Sequence, residues 1–229
     1  MIRADTLRVI PNGVDTGAFK PDPLRRNALR RELGVMEGFL WMAAGRLEEV
    51  KDYPTLLRAM TGLPQHARLV IAGAGTQEAE LRRQCVALGI EGRVRFVGFV
   101  AEINRWMQAA DGYVLSSRWE GLPVALMEAA ACALPGVATD VPGTREVILP
   151  GQSGYLVEQA QPAQLARSML AVMHASPMER QAMGARARGI ILERYSMEIV
   201  LSQWEVLYAK LMEDTVKHRS GSKVDCVDA

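Results

Sequence analysis

Residues 38–72 read GFLWMAAGRLEEVKDYPTLLRAMTGLPQHARLVIA, and this stretch decides the fold of the chain. It begins with a continuous apolar run at 38–44 and ends with a second one at 68–72. Between them, residues 53–60 carry apolar side chains at helical spacing. Continuous apolar runs are typical of parallel strands that are covered on both faces, and the helix between them supplies the crossover. The stretch therefore predicts one strand, helix, strand unit of a parallel sheet.

The same alternation continues along the chain. Further strands are predicted at 94–97, 112–115, 136–138 and 154–157. Further helices are predicted at 77–88, 102–110, 123–133, 162–174, 177–193 and 196–214. This order predicts an α/β fold, a Rossmann-like doubly wound parallel sheet with right-handed crossovers and extra C-terminal helices.

The two ends of the chain lack this pattern. Residues 7–10 predict a strand, and the turn residues Pro11, Asn12 and Gly13 follow it. A polar stretch comes next, so residues 1–37 are interpreted as an interdomain connector and the remnant of a missing N-terminal domain. The domain itself is predicted at 38–214, and 215–229 is predicted to be a flexible tail.

Composition is that of an ordinary globular protein. The 229 residues are 49% hydrophobic and 23% charged, with a formal net charge of +1. This near-balance argues against nucleic acid as a partner, because surfaces that follow phosphates need a clear excess of Lys and Arg. Cys85, Cys132 and Cys226 form no metal-ligand pattern, so they are predicted to be reduced thiols, two of them buried and one in the tail.

Ligands of an open parallel sheet bind outside the carboxyl ends of its strands, so the residues that follow each strand are informative. Arg46 follows the first strand, and Lys51 lies five residues further on, at the start of a helix. Two cations beside helix N-terminal amides can neutralise a diphosphate as charge develops on the leaving group. Taken alone, however, such a pair is more often solvated surface charge.

Gly73, Ala74 and Gly75 follow the second strand and superficially suggest a dinucleotide fingerprint. Glu78 replaces the third glycine, and the segment is not the first strand-to-helix turn of the sheet. The two glycines are interpreted either as a tight turn that brings backbone amides near a ligand or as structural punctuation alone.

The fourth strand is followed by SSRWEGLPVALME, residues 116–128. Glu120 lies in the loop, Gly121 allows close backbone approach, and Pro123 suits the first turn of a helix. That helix carries Glu128 inside an apolar sequence, where a carboxylate is costly unless it is hydrogen-bonded. The hydroxyl groups of a ribose would serve as donors. The alternative is that Glu128 caps buried backbone or pairs with an arginine.

Four segments, in this order, resemble one family. They are IPNGVD at 10–15, AAGRLEEVKDYPTLLRAM at 43–60, RLVIAGAG at 68–75 and EGLPVALMEAAACALPGVATDVPGTREVI at 120–148. Together with the spacing of Glu120 and Glu128, they are similar to the retaining glycosyltransferases of family four (group 1), which have the GT-B fold of two facing Rossmann-like domains. The resemblance covers about residues 8–200. It implies that the chain is the C-terminal, nucleotide-sugar-binding domain.

The resemblance implies a role for each site residue. Arg46 and Lys51 would hold the donor diphosphate, Glu120 would contact the donor sugar, and Glu128 would bind the ribose. Further substrate contacts would come from Gly121 and Leu122 at the sugar and phosphates, Val124 near the ribose, Gly98, Phe99 and Val100 at the base, and the turn glycines Gly73 and Gly75. Catalysis by Arg46, Lys51 and Glu120 would be electrostatic. No metal and no cofactor is expected, because the nucleoside diphosphate sugar is itself a substrate.

The chain departs from the family pattern at three places. Ala74 stands where the family often has Asp, and Ala133 stands where it often has Gly. Pro142 and Gly143 replace a common double glycine in a loop close to the sugar. Sugar specificity therefore does not follow from this loop.

The resemblance also implies partners and location. Enzymes of this family place the acceptor site on an N-terminal domain, so this chain alone is expected to bind donor weakly and to transfer little. The acceptor of the parent enzyme would be a glycan, a lipid-linked sugar or a small molecule. The longest apolar run, 124–138, is interrupted by Glu128 and Pro135 and cannot span a bilayer. A cytoplasmic enzyme is expected, with any membrane association of the parent peripheral and at the inner face.

Two other functions are consistent with the sequence. A non-catalytic nucleotide-sugar-binding module could complete or regulate a partner chain, although the intact Arg46 and Glu120 favour an active parent. A two-domain isomerase or phosphorylase has a similar architecture, but a phosphorylase would need a cofactor lysine site that the sequence does not support.

Overall fold

Six parallel strands form one sheet. They are β1 (Phe39–Ala44), β2 (Ala67–Ala72), β3 (Val94–Gly98), β4 (Gly112–Leu115), β5 (Gly136–Thr139) and β6 (Gly154–Val157). Their order in the sheet is β3-β2-β1-β4-β5-β6, so the chain changes direction across the sheet between β1 and β4. The computed structural model of the protein describes residues 7–221, with side chains described as far as residue 213. The predicted Rossmann-like, doubly wound α/β fold is confirmed.

Helices cover both faces of the sheet. They are α1 (Pro23–Glu32), α2 (Tyr53–Thr61), α3 (Glu78–Ala87), α4 (Ile103–Ala109), α5 (Val124–Ala131), α6 (Pro142–Arg145), α7 (Pro162–His174), α8 (Pro177–Arg194) and α9 (Met197–Gly221). Leu57 of α2, Leu81 of α3 and Leu165 of α7 belong to the core on one face. Met107 of α4, Leu126 of α5 and Ile190 of α8 belong to the core on the other. Because both faces are covered, β1 and β4 are buried along their whole length.

The six internal strands lie within one residue of their predicted ends. The strand predicted at residues 7–10 is wrong, since these residues form no strand and both Leu7 and Val9 are exposed. A strand needs a hydrogen-bonded neighbour, and none of the described strands runs beside this segment. Val14, slightly further on, forms an isolated parallel bridge to Ser196.

The predicted connector contains a helix that the sequence analysis did not predict. The Asp22 side chain caps α1 by accepting hydrogen bonds from the Leu24 and Arg25 amides. Leu29 is the one apolar side chain of this helix that is fully buried, so the helix has no broad apolar face. It packs instead through a single leucine and through arginines, which a pattern of hydrophobic residues cannot reveal.

The C-terminal helix is longer than predicted. It continues through Gly221, past the boundary predicted at Asp214, because no Gly or Pro interrupts the sequence from Met197 to Ser220. The predicted tail is therefore helical at 215–221, and its remainder, with Cys226, lies outside the described residues. Cys85 and Cys132 are free and buried, as predicted. Among the helices described, none combines the length and the apolar character that crossing a membrane requires.

Candidate functional site

The loops after β1 and β4 meet at the centre of the carboxyl edge of the sheet. The two strands are neighbours, but α2 follows β1 on one face and α5 follows β4 on the other. This divergence marks the topological switch point of the sheet, and open parallel sheets bind ligands in the crevice at such a point. The β1 loop carries Arg46 and Lys51, and the β4 loop carries Glu120.

Lys51 and Glu120 form an ion pair across this crevice. Lys51 Nζ lies 2.6 Å from Glu120 Oε1, and the two side chains are only 18% and 11% exposed. Ser117 Oγ donates a second hydrogen bond to the same carboxylate oxygen, also at 2.6 Å. Burial strengthens the attraction of opposite charges and makes either charge costly without its partner. The pair thus joins the two loops through one oxygen atom.

The backbone of the β1 loop positions the Lys51 ammonium group. A short 3-10 helix, Glu49–Lys51, carries the lysine back over Gly45, where an added Cβ would lie 3.0 Å from Lys51 Cε. Tyr53 Oη donates to the Gly45 carbonyl at 3.2 Å, and Ser116 Oγ donates to the Lys51 carbonyl at 2.8 Å. The ammonium group therefore lies beside the Gly45 backbone.

Arg46 lines an apolar pocket of about 390 Å³ next to this loop. The other lining residues come from the ends of three neighbouring strands and from α4: Ala44, Gly45, Ala72, Gly73, Ala74, Phe99, Val100 and Ile103. Gly98 ends β3 with φ +67°, and the Phe99 ring that follows is exposed. Among the described residues, the exposed Arg46 side chain has no hydrogen-bond or ion-pair partner. Its guanidinium group is therefore available to bind an anion.

Gly73 and Gly75 are required for packing between loops. A Cβ on Gly73 would lie 2.0 Å from the Gly45 carbonyl oxygen, and one on Gly75 would lie 2.5 Å from the Leu47 carbonyl oxygen. The Leu47 amide donates to the Ala74 carbonyl at 2.9 Å. A structural reason is thus sufficient for both glycines, and their contact with a ligand stays a prediction.

Glu128 lies within α5 and carries a half-buried carboxyl group. Burial raises the pKa of Glu128 from its ordinary value of 4.5 to about 7, because the charged form loses its hydration. Within the part of the chain that the structure describes, this side chain has no hydrogen-bond or ion-pair partner. It therefore neither caps buried backbone nor pairs with an arginine, which were the structural alternatives for this residue.

Tyr113 is a further buried polar residue at this end of the sheet, and it is not among the site residues predicted from the sequence. Its hydroxyl group lies 3.2 Å from both the amide nitrogen and the carbonyl oxygen of Ala44, at the end of β1. Burial raises the pKa of Tyr113 well above its ordinary value, and Tyr53, Glu128 and Glu120 add to the effect. A tyrosine within an aliphatic strand was the available signal, since a buried hydroxyl group needs a partner.

The first turn of α5 begins directly after the loop that carries Glu120. Pro123 occupies the N-cap position and supplies no side-chain hydrogen bond, so the amides of Val124 and its neighbours lack a side-chain cap. Gly121 and Val124 are exposed, and Leu122 is half-buried. A ligand could therefore reach all three positions. Their contact with a substrate stays a prediction.

Gly143 has a packing role that the sequence did not reveal. A Cβ at this position would lie 2.3 Å from the Gly121 carbonyl oxygen. The glycine lets α6, which Pro142 begins, pack directly on the β4 loop. Pro142 and Gly143 stand where the family commonly has two glycines, and the glycine that this contact requires is the second of the two positions.

The structure brings the predicted side chains to one edge of the sheet. Lys51 contacts Glu120 directly, Arg46 lies on the same loop as Lys51, and Glu128 lies on α5, the helix that follows the Glu120 loop. Among the described residues, no group of three or more His, Cys, Asp and Glu side chains could hold a metal ion.

Comparison with known protein families identifies the family. Residues 26–189 match the family model described as Glycosyl transferases group 1. The chain belongs to this family. As a group 1 glycosyltransferase chain, it has the Rossmann-like fold of the C-terminal domain of GT-B enzymes.

Two curated relatives of this chain are named as glycosyltransferases. It is 31% identical over 213 residues to Putative glycosyltransferase EpsD of Bacillus subtilis (strain 168), which covers 91% of this chain and 55% of the relative. It is 34% identical over 196 residues to D-inositol 3-phosphate glycosyltransferase of Xylanimonas cellulosilytica, with 80% and 46% covered. The chain thus spans about half the length of the curated relatives it matches.

Solved structures share the fold. The chain superimposes on Anabaena Alr3699/HepE in complex with UDP with a TM-score of 0.86 at 27% identity, covering 91% of this chain and 58% of that one. The UDP-glucose complex of the same protein gives 0.85 at 28% identity, with 90% and 58% covered. The C-terminal domain of LpcC from Francisella tularensis, a glycosyl transferase group 1 family protein, is 24% identical with a TM-score of 0.72. This chain covers 100% of that domain, which itself covers 81% of this chain.

Proposed function

We propose that this chain is the donor-binding half of a retaining glycosyltransferase of family four. The whole enzyme transfers a hexosyl group from a nucleoside diphosphate to a glycan, a lipid-linked sugar or a small molecule. The acceptor side belongs to a second, N-terminal domain, since the chain spans about half of its curated relatives. The isolated chain then binds donor without transferring sugar. The parent enzyme acts in the cytoplasm, with any membrane association peripheral at the inner face.

The observation that carries the proposal is the Lys51–Glu120 pair beside Arg46, whose side chain has no partner among the described residues. A diphosphate needs positive charge, which the ammonium and guanidinium groups supply from one loop. A sugar needs hydrogen-bond acceptors, which Glu120 supplies. In support, the HepE protein, similar at 27% and 28% identity, was crystallised with UDP and with UDP-glucose.

The rest of the nucleotide is assigned to neighbouring features of the crevice. Glu128, which has no protein partner among the described residues, accepts hydrogen bonds from the ribose hydroxyl groups. The base lies in the apolar pocket lined by Phe99 and Val100. Arg46 lines this pocket and follows Gly45, against which Lys51 packs. The base would therefore lie close to the cations that hold the diphosphate.

The proposed chemistry is electrostatic. The bond between the anomeric carbon and the β-phosphate oxygen breaks, and its electron pair leaves with the nucleoside diphosphate. The acceptor oxygen forms the new glycosidic bond and gives its proton to the departing diphosphate oxygen. Arg46, Lys51 and the first-turn amides of α5 stabilise the charge on the departing diphosphate. In other enzymes a metal ion neutralises the charge of the diphosphate. Here these cations and amides do so, and no metal is proposed.

The proposal is tested by calorimetry with UDP, GDP and ADP. We expect the wild-type chain to bind nucleoside diphosphate and Arg46→Ala and Lys51→Ala each to weaken the binding by about tenfold or more, because each removes a charge-assisted contact. Arg83→Ala is the matched control, since Arg83 is an exposed cation of α3 that pairs with Glu80.

Thermal unfolding of each variant separates lost binding from lost structure, because Lys51→Ala leaves the buried Glu120 without its cation. Unchanged affinity in both folded variants would remove the diphosphate role from these cations. A wild-type chain that binds none of the three nucleotides would overturn donor binding itself.

A further inference from the structure

Ser117 is a fully buried residue that the sequence analysis left without a role. It is the second residue after β4 and is 0% exposed, so it cannot touch a ligand in the crevice. Its hydroxyl group nevertheless donates a 2.6 Å hydrogen bond to Glu120 Oε1. Ser117 therefore acts on the crevice only through the glutamate.

The two oxygens of Glu120 have different surroundings. Oε1 accepts hydrogen bonds from both Ser117 Oγ and Lys51 Nζ, each at 2.6 Å. Oε2 has no hydrogen-bond partner among the described residues. One oxygen is thus held by the protein, and the other is left to accept hydrogen bonds from a ligand.

We propose that Ser117 is the positioning residue that fixes Glu120 for recognition of the donor sugar. This inference rests on the proposed function, in which Glu120 contacts the sugar and Lys51 contacts the diphosphate. When the donor is bound, Lys51 shares its ammonium group with phosphate oxygens. Because the lysine side chain is flexible, it cannot by itself fix the orientation of the Glu120 carboxylate. The Ser117 hydroxyl group cannot move away, because it is enclosed. It therefore keeps the carboxylate orientated while the lysine turns to the leaving group.

A second network holds Ser117 in place without using its hydroxyl group. Thr139 Oγ1 donates to the Ser117 carbonyl oxygen, and Thr144 Oγ1 donates to the Thr139 carbonyl oxygen at 2.6 Å. Both threonines are buried. Removing the Ser117 hydroxyl group leaves these contacts intact, so Ser117→Ala changes the hydrogen bonding of Glu120 and little else.

A preorganised acceptor gains affinity because the freedom of its side chain is lost before the ligand arrives. Hydrogen bonds to charged groups are among the stronger ones in proteins. Loss of the Ser117 bond should therefore weaken binding of the sugar but not of the diphosphate. This difference separates positioning from a general structural role.

The experiment compares UDP with UDP-glucose and GDP with GDP-mannose on the full chain by calorimetry. For the base that binds, we expect wild type to bind the nucleotide sugar more tightly than the nucleotide. Ser117→Ala should reduce this sugar-dependent gain in affinity by about tenfold, and should abolish a gain that is smaller than tenfold. The affinity for the nucleotide alone should not change. Ser117→Cys, a similar-sized weaker donor, should give an intermediate loss and serves if the alanine variant does not fold.

Two controls make the outcome specific. Ser153→Ala removes an equally buried hydroxyl group at the opposite edge of the sheet, where it accepts from the Leu149 amide, and should leave both affinities unchanged. In a Glu120→Ala background, Ser117→Ala should have no further effect, because the group that it positions is absent.

Each remaining outcome decides a different point. An unchanged sugar-dependent gain in Ser117→Ala, or an equal loss for nucleotide and nucleotide sugar, would overturn the positioning role while leaving donor binding standing. Absence of any sugar-dependent gain in wild type would also overturn it. If wild type binds none of the four ligands, the proposed function itself fails.

Discussion

Glu128 combines a half-buried carboxyl group with the lack of a protein partner among the described residues. Burial raises its pKa to about 7, so the free chain holds this group partly protonated near neutral pH. A ribose hydroxyl group that donates to the carboxylate favours the charged form, so nucleotide binding should draw the proton off. Rising pH is therefore expected to weaken the fold and to strengthen nucleotide binding.

We expect Glu128→Gln to stabilise the free chain above pH 7 and to leave it nearly unchanged below pH 4.5, the two pKa values of the folded and unfolded carboxyl group. Between them the folded wild-type chain holds a proton that the unfolded chain has lost, so its stability falls as pH rises. The amide variant has no such proton. Urea unfolding across this range measures the difference in the free energy of unfolding.

The same variant should bind nucleoside diphosphate less tightly than wild type, by a factor that grows as pH rises through about 7. Comparing the two proteins cancels the titration of the nucleotide. Glu193→Gln, on the exposed surface of α8, is the control and should behave as wild type. If the difference in unfolding free energy between wild type and Glu128→Gln does not depend on pH, the raised pKa of Glu128 is contradicted.

At the scale of elements, α1 is attached to the sheet by ionic contacts as well as by the buried side chain of Leu29. Asp111 accepts hydrogen bonds from Arg30 Nη1 at 2.9 Å and from the Leu40 amide at 2.8 Å, and it also pairs with Arg26. Arg30 is buried and donates to the Gly38 carbonyl as well. The network joins α1 to the N-terminal ends of β1 and β4, opposite the candidate site.

We expect Asp111→Ala to lower the free energy of unfolding by about 3–5 kcal/mol, because it leaves buried positive charge unpaired. Glu32→Ala is the matched control. It breaks the exposed pair of Glu32 and Arg105 between α1 and α4, whose side chains are 60% and 39% exposed, and should cost at most about 1 kcal/mol. Urea unfolding of both variants measures the contrast. Equal losses would show that the buried network does not hold α1.

The end of α5 explains one departure from the family pattern. Ala133 has φ +58°, in the left-handed region that favours glycine. A Cβ on Gly184 of α8 would lie 2.1 Å from the Ala133 carbonyl oxygen, so the two helices approach closely here. The glycine that the resembled family often carries at this position therefore has a backbone reason, and the alanine adopts the same turn at some conformational cost.

At the scale of the whole molecule, α9 begins packed on the domain and then loses its cover. Val200 is 4% exposed and lies beside Gly13, whereas Val206 and Met212 are 69% and 71% exposed. Trp204 and Tyr208 stack on each other, with ring centroids 5.7 Å apart. The outer half of this helix should therefore add little to the stability of the domain.

We expect Val206→Gln and Met212→Gln each to change the free energy of unfolding by less than about 0.5 kcal/mol, since neither side chain leaves water on folding. Val200→Ala should cost about 1 kcal/mol or more, because it removes buried methyl groups. Urea unfolding of the three variants gives the comparison. A loss above about 1 kcal/mol at either exposed position would show that this face is covered in solution.

The sequence alone determined the alternation of strands and helices and the place of the candidate site. Each strand of the sheet is a short apolar run, and the loops that carry candidate site residues such as Arg46 and Glu120 follow these runs. These features are local in the chain, because burial on both faces requires apolar residues at successive positions. The rule that ligands lie beyond the carboxyl ends of parallel strands then placed Lys51 and Glu128 near the same crevice.

Only the tertiary structure decided which groups meet. Nothing in the sequence links Lys51 to Glu120 at 2.6 Å, encloses Ser117 behind that glutamate, or gives Tyr113 the Ala44 backbone as its partner. The packing of α1 through Arg30 is equally invisible to a search for apolar periodicity. The physical reason is that periodicity reports which face of an element is buried, whereas hydrogen bonds and ion pairs depend on how distant elements are positioned in space.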